Sequence, residues 1–216
     1  AAVTLNFAEG HPDAKLLEDA KTAKTSDQDA KKTLDEAKGP RPLLDVDAAI
    51  ALLRPLAYGL QVAGQREEVS ESALLVHIDE RLAELGRGEL DPLQVFEWLH
   101  RDAGVLTELV PQQYGFFHLG LQEYLAALQI ASEGERLLDA LVADFDNAWW
   151  HEVARLLVSK PARDIFGPLM RRLLAGPALL KHTTVLRHCI LEAAEVDATL
   201  VVERLERARE PAQRQV

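Results

Sequence analysis

Cysteine is almost missing from this sequence: Cys189 stands alone among 216 residues. No disulfide can close within the chain, and a single thiol suits a reducing compartment, so a cytoplasmic location is expected. No apolar run approaches the roughly 20 residues that span a bilayer, and no secretory signal pattern opens the chain. Positive charge is scarce: 24 Lys and Arg stand against 35 Asp and Glu, for a net charge of −11. That balance argues against a broad surface for nucleic acid or for an anionic membrane. No GxxxxGK[ST] phosphate loop occurs, and no Ser/His/Asp arrangement can be argued, so no catalytic residue is expected in this chain. The opening on Ala1 and Ala2 rather than methionine suggests a fragment or a processed chain.

What is present is enough apolar residue for a real core, 48% of the chain, in a length that suits one large domain or two small ones. Val3, Leu5 and Phe7 alternate as a short strand would, or as a frayed end. Residues 13–38 are rich in Ala, Lys, Asp and Glu with a thin apolar stripe, and read as one or two solvated helices broken near Thr25, Ser26 and Asp27. Gly39, Pro40, Arg41 and Pro42 mark a boundary. From 45 to 63 Ile50, Leu53, Leu56, Ala57 and Leu60 share a helix face, with Pro55 as an expected kink and Gly64 as the stop. Val69 is strand-like and Ser70 a helix N-cap. Residues 71–85 form a second helix with Leu74, Leu75, Ile78, Leu82 and Leu85 inward. Asp91 and Pro92 start a third helix that runs to about Asp102, where Gly104 stops it. Residues 105–109 alternate as a strand, Pro111 to Gln113 turn, and 114–117 return.

The stretch Tyr114 to Ala127, YGFFHLGLQEYLAA, changes period at His118. Aromatic residues at strand spacing give way to Leu121, Leu125 and Leu128 at helical spacing, so His118 is expected at a strand-to-helix junction, with Gln122 and Glu123 as solvated or capping residues. This run resembles the FxHLxFQEYLAA signature of NACHT-type proteins, a branch of the STAND class of signalling NTPases. Phe116, His118, Leu119, Gln122, Glu123, Tyr124, Leu125, Ala126 and Ala127 match it, and Leu121 departs where the family has Phe. LLRPLAYGLQ, AGVLTELVPQQYGFFH and DNAWWHEVARLL resemble, in turn, the first helix and the hairpin of the family's winged-helix domain and the helical domain that follows it.

The resemblance implies a mainly α fold: a winged helix, meaning helices plus one β-hairpin, followed by a HEAT-like helical domain. The expected division is 1–40 unassigned and charged, 41–132 winged helix, and 133–216 helical. In the second part, helices are expected over 135–145, 147–158, 163–174, 178–194 and 198–209, packed as antiparallel pairs. It further implies that His118 contacts the phosphates of bound ADP and holds the parent protein closed. A helix N-terminus favours a neutral imidazole that donates one N–H to a phosphate oxygen. The alternative for His118 is a core histidine bonded to backbone. ATP or ADP and magnesium are implied for the intact parent, which resembles an ATPase, and no cofactor is expected in this chain alone. The implied partner is the nucleotide-binding core of the same protein, with self-assembly or other protein partners on triggering and a role in prokaryotic defence.

Other residues give weaker signals. His151 and Glu152 resemble the start of a zincin helix, but Arg155 stands where the second ligand belongs, so no metal site is expected. His182, His188 and Cys189 have no metal-ligand spacing, and Cys189 reads as core. Trp149 and Trp150 read as packing anchors. Two other functions remain open. In a winged-helix nucleic-acid-binding module the recognition helix would be 92–102, where Glu97 and Asp102 oppose Arg101. In a helical-repeat protein-interaction scaffold the surface would be residues 135–209.

Overall fold

The computed structural model describes residues 43–64, 68–159, 165–175, 181–199 and 201–202. The expected strand and helices before Pro42, the Pro161 and Gly176–Pro177 breaks, and the end of the last helix lie outside them. The described residues belong to one compact unit that begins at Leu43, next to the Gly39–Pro42 boundary. They are mainly helical, with one small three-stranded antiparallel sheet.

Helix α1 spans Val46–Ala63 and is opened by Asp45, whose side chain accepts from the Ala48 N–H at 2.8 Å. Pro55 lies inside it without interrupting the helical assignment. Its buried face is Leu52, Leu53, Ala57, Leu60 and Gln61, while Ile50 and Leu56 are only half-buried. At 18 residues and a mean hydropathy of 1.2, α1 is long and apolar enough to cross a membrane by length and composition alone. Leu52, Leu53, Ala57 and Leu60 all contribute to a core shared with other helices and the hairpin. Gly64 ends the helix at φ 122°, a left-handed conformation that costs glycine little.

Strand β1 (Val69–Ser70) leads directly into α2 (Glu71–Glu84), with the Ser70 hydroxyl accepting from the Ala73 N–H. Asp91 caps α3 (Pro92–Glu97) through the Leu93 N–H at 3.0 Å, with Pro92 at its start. The helix does not reach Asp102 as a regular α-helix. Trp98–Asp102 form a π-helical turn, closed by Ala103 N–H donating to the Trp98 carbonyl at 2.8 Å. The wider turn places Leu99 in the core and the His100 ring against the Leu106 carbonyl.

The hairpin is present. β2 (Leu106–Val110) and β3 (Gln113–Phe116) pair antiparallel around a turn at Pro111 and Gln112, and β1 pairs with the other edge of β3. Gln112 sits at φ 62°, and its N–H is held by the Glu108 carboxylate at 2.8 Å. A bulge between Glu108 and Val110 sets Leu109 apart from the ladder. Tyr114 fills the inner face edge-on to Phe96, with ring centroids 5.0 Å apart.

After His118 the described chain is helical: α4 (Leu119–Glu133), α5 (Glu135–Ala143), a short 3₁₀ turn (Ala148–Trp150), α6 (His151–Val158), α7 (Phe166–Ala175) and α8 (Thr183–Glu192). Among the described helices α6 lies against both α4 and α8, and α5 against both α4 and α7. Arg155 reinforces the first layer, bonding Glu152 at 2.7 Å and Glu192 of α8 at 2.6 Å, and Arg172 joins α7 to Asp139 and Glu135 of α5.

Two apolar cores result. One collects Leu53, Leu74, Ile78, Phe96, Leu106, Phe116 and Leu125; the other collects Ala126, Ile130, Leu141, Trp150, Leu157 and Leu169 among others. The two cores meet on α4, which turns Leu121, Leu125 and Leu128 to the first and Ala126, Ala127 and Ile130 to the second.

Candidate functional site

His118 stands at the junction expected of it. Its backbone is extended (φ −120°, ψ 126°), and the next residue begins α4. The strand-to-helix change is therefore made at this one residue. Its carbonyl accepts from the N–H groups of Leu121 and Gln122 at 3.0 and 3.3 Å, but no side chain caps the helix. First-turn N–H groups have no carbonyl four residues back to meet, and they favour an anion. The imidazole is exposed, with the Phe117 ring edge-on at 4.4 Å. Phe117 (60% exposed) and Leu119 (47% exposed) flank it, so the junction presents an apolar–imidazole–apolar triplet to solvent. The core-histidine alternative does not describe this geometry. The residues here place an exposed imidazole beside a helix end that no side chain caps.

Gln122 and Glu123 are not solvated, and that expectation is corrected: both are buried. The cause is that α4 is covered on two sides, by α1 and by α6. Gln122 Nε2 donates to Gln61 Oε1 at 3.1 Å. Gln61, fully buried on α1, donates in turn from Nε2 to the Trp149 carbonyl at 2.8 Å, and the Trp149 indole N–H returns a bond to the Gln61 carbonyl at 2.9 Å. A polar seam thus runs from the first turns of α4 through α1 to the 3₁₀ turn before α6. Nothing in the sequence singled out Gln61. The available signal was its position one residue after Leu60, on the apolar side of α1.

Burial pushes the Glu123 carboxyl above the usual range, and the Glu152 carboxylate adds to the effect, although Arg155 partly neutralises Glu152 at 2.7 Å. An acid whose folded pKa is raised costs stability once pH exceeds its unfolded value, and costs nothing when protonated in both states. Glu123→Gln is accordingly expected to raise the thermal midpoint at pH 7 by ~2–4 °C, the shift that about 1 kcal/mol produces at this size. The gain should fade as pH drops below the ordinary glutamate range. Thermal unfolding of both proteins from pH 3.5 to 8 checks this, and a gain that does not change with pH would count against it.

The remaining candidates have structural roles. His151 Nε2 meets the Phe145 carbonyl at 3.0 Å, and Glu152 pairs with Arg155. His182 and Lys181 both bind Asp146, at 2.8 and 2.7 Å, and hold its carboxyl below the usual range. His188 is exposed, whereas Cys189 is fully buried with its thiol pushed up to about 12 by that burial. Among the described residues no group of three His, Cys, Asp or Glu side chains converges on a metal position. On the 92–102 segment Glu97 and Arg101 are exposed 3.8 Å apart, with Asp102 exposed beside them. Trp150 is the deeper anchor of its pair: it is buried, its ring lies 6.0 Å from that of Tyr58, and its indole N–H reaches Asp144 at 2.7 Å.

No protein-family model, no curated protein and no solved structure matches this chain.

Proposed function

We propose that this chain is the regulatory winged-helix and helical region of a NACHT-like STAND NTPase, coupling nucleotide state to signalling or self-assembly in prokaryotic defence. The observation that carries the reading is the exposed, uncapped His118 junction between Phe117 and Leu119. An imidazole and two apolar side chains held out by a hairpin and a helix end suit a surface that another module covers. Three helices before a hairpin, with β1 laid along it, support a winged helix. The contacts of α6 with α4 and α8 and of α5 with α7 support a two-layered, HEAT-like arrangement. The partner is the nucleotide-binding core of the same protein, which brings ATP or ADP, magnesium and the phosphate loop; the place of action is the cytoplasm.

The nucleic-acid alternative is disfavoured by the 92–102 face, where Glu97 already engages Arg101 and Asp102 adds negative charge. The scaffold alternative is compatible with the first, since a helical region can carry a protein-binding surface as well.

Isolated, the chain is expected to show no ATP turnover and no tight nucleotide affinity, because one imidazole cannot replace a phosphate loop. Phosphate release and nucleotide titration on the purified chain check this; turnover abolished by a point change within it would refute the assignment. The deciding observation is the sequence ahead of residue 40 in the intact protein. A phosphate-loop motif within about 300 residues is expected, and its absence from the intact protein would sink the reading.

A further inference from the structure

We propose that Gln61, Gln122 and Trp149 form a clamp that makes the hairpin-bearing half of the molecule (46–125) and the helical half (126–192) open and close as one body. Three observations lead there. The apolar cores are separate clusters that use different faces of α4, with Tyr58 of α1 reaching across to pack against the second. Between the cores the polar contacts are long-range: the Gln122–Gln61 bond is buried and the two Gln61–Trp149 bonds are part-buried. Gln61 and Trp149, 88 residues apart, exchange two hydrogen bonds of 2.8 and 2.9 Å, and Gln122, in the same half as Gln61, braces the Gln61 amide from the other side at 3.1 Å. Gln61 is fully buried, with its side-chain N–H and its carbonyl both bonded to Trp149, so sliding the halves apart strands these groups. Apolar contacts alone are non-directional and tolerate a shift; a reciprocal amide–indole pair has one register.

The clamp has a consequence for communication. Gln122 lies on the first turns of α4, just after the exposed Phe117–Leu119 surface, and Trp149 lies in the 3₁₀ turn that leads into α6. A displacement of the α4 start reaches Trp149 through Gln61, or else breaks one of the two links in that relay. This inference stands on the seam alone and holds whether or not the nucleotide reading above is correct.

The experiment is urea-dependent amide exchange on the full chain, following core amides of α2 for the first half and of α6 for the second. In the wild type both sets are expected to exchange through one opening, with the same dependence on urea. The variant Gln61→Met keeps the volume but removes the side-chain donor and acceptor. It is expected to split the two sets, so that α6 loses protection at lower urea than α2. Should that variant not fold, Trp149→Phe removes the indole donor with part of the ring and is expected to lower α6 protection more than α2 protection. Separate openings already in the wild type, or equal losses in both halves of whichever variant folds, would overturn the proposal.

Discussion

Replacing His118 by alanine in the intact protein is expected to weaken ADP binding about ten- to hundredfold and to raise basal activity, while leaving the nucleotide-free fold nearly as stable as before. On the proposed reading the imidazole donates one hydrogen bond to a charged phosphate, a contact worth roughly 1.5–3 kcal/mol. Losing it destabilises the closed, ADP-bound form alone and shifts a two-state protein towards the open one. The small effect on stability follows from geometry: the side chain is exposed, caps nothing, and touches chiefly the neighbouring Phe117 ring. ADP titration and thermal unfolding of both proteins, with and without nucleotide, separate the two effects. Unchanged affinity with a strongly lowered midpoint in the nucleotide-free protein would show His118 to be a structural residue.

The largest loss of stability is expected from Trp150→Ala. A buried Trp truncated to Ala costs about 3–5 kcal/mol through lost transfer energy and the cavity left behind. In a chain of this size that corresponds to a fall in the midpoint of roughly 6–20 °C. Most of the loss comes from packing against Tyr58 and the second core, because Asp144 is exposed and water can replace the indole donor. Trp150→Phe should recover much of it, since a ring still fills part of the space. Circular-dichroism melts of the three proteins test this; a fall under about 2 °C for the alanine variant would mean that the site relaxes without a cavity.

Much of the architecture was legible because it rests on local rules. Ser70 and Asp91 are N-caps by side-chain chemistry, and both accept the bonds that role requires. The hairpin and the junction at His118 were legible from a change of period. The β1–β3 pairing was only hinted at by Val69, since a two-residue strand carries almost no pattern of its own. The π turn at Trp98–Asp102 was hidden, because its residues fit an α-helix equally well until the packing of Leu99 and His100 is known. Gln122 and Glu123 were misread for a related reason. A polar residue on a helix counts as solvated until a second helix is laid over it, and α6 comes from residues that begin far along the chain. Gln61 escaped notice in the same way, as a long-range partner that no window along the sequence contains.

The shared helix α4 bears on how the chain can be divided by protease or by gene engineering. Leu125 belongs to one core, and Ala126, Ala127 and Ile130 belong to the other. A cut at 132, where composition suggests a seam between modules, would therefore leave the later fragment without the helix that lines its floor. The earlier fragment would carry an apolar stripe with nothing on it, the kind of surface that drives self-association. Any soluble fragment of the later helices has to begin upstream of His118 and take the hairpin's exit with it.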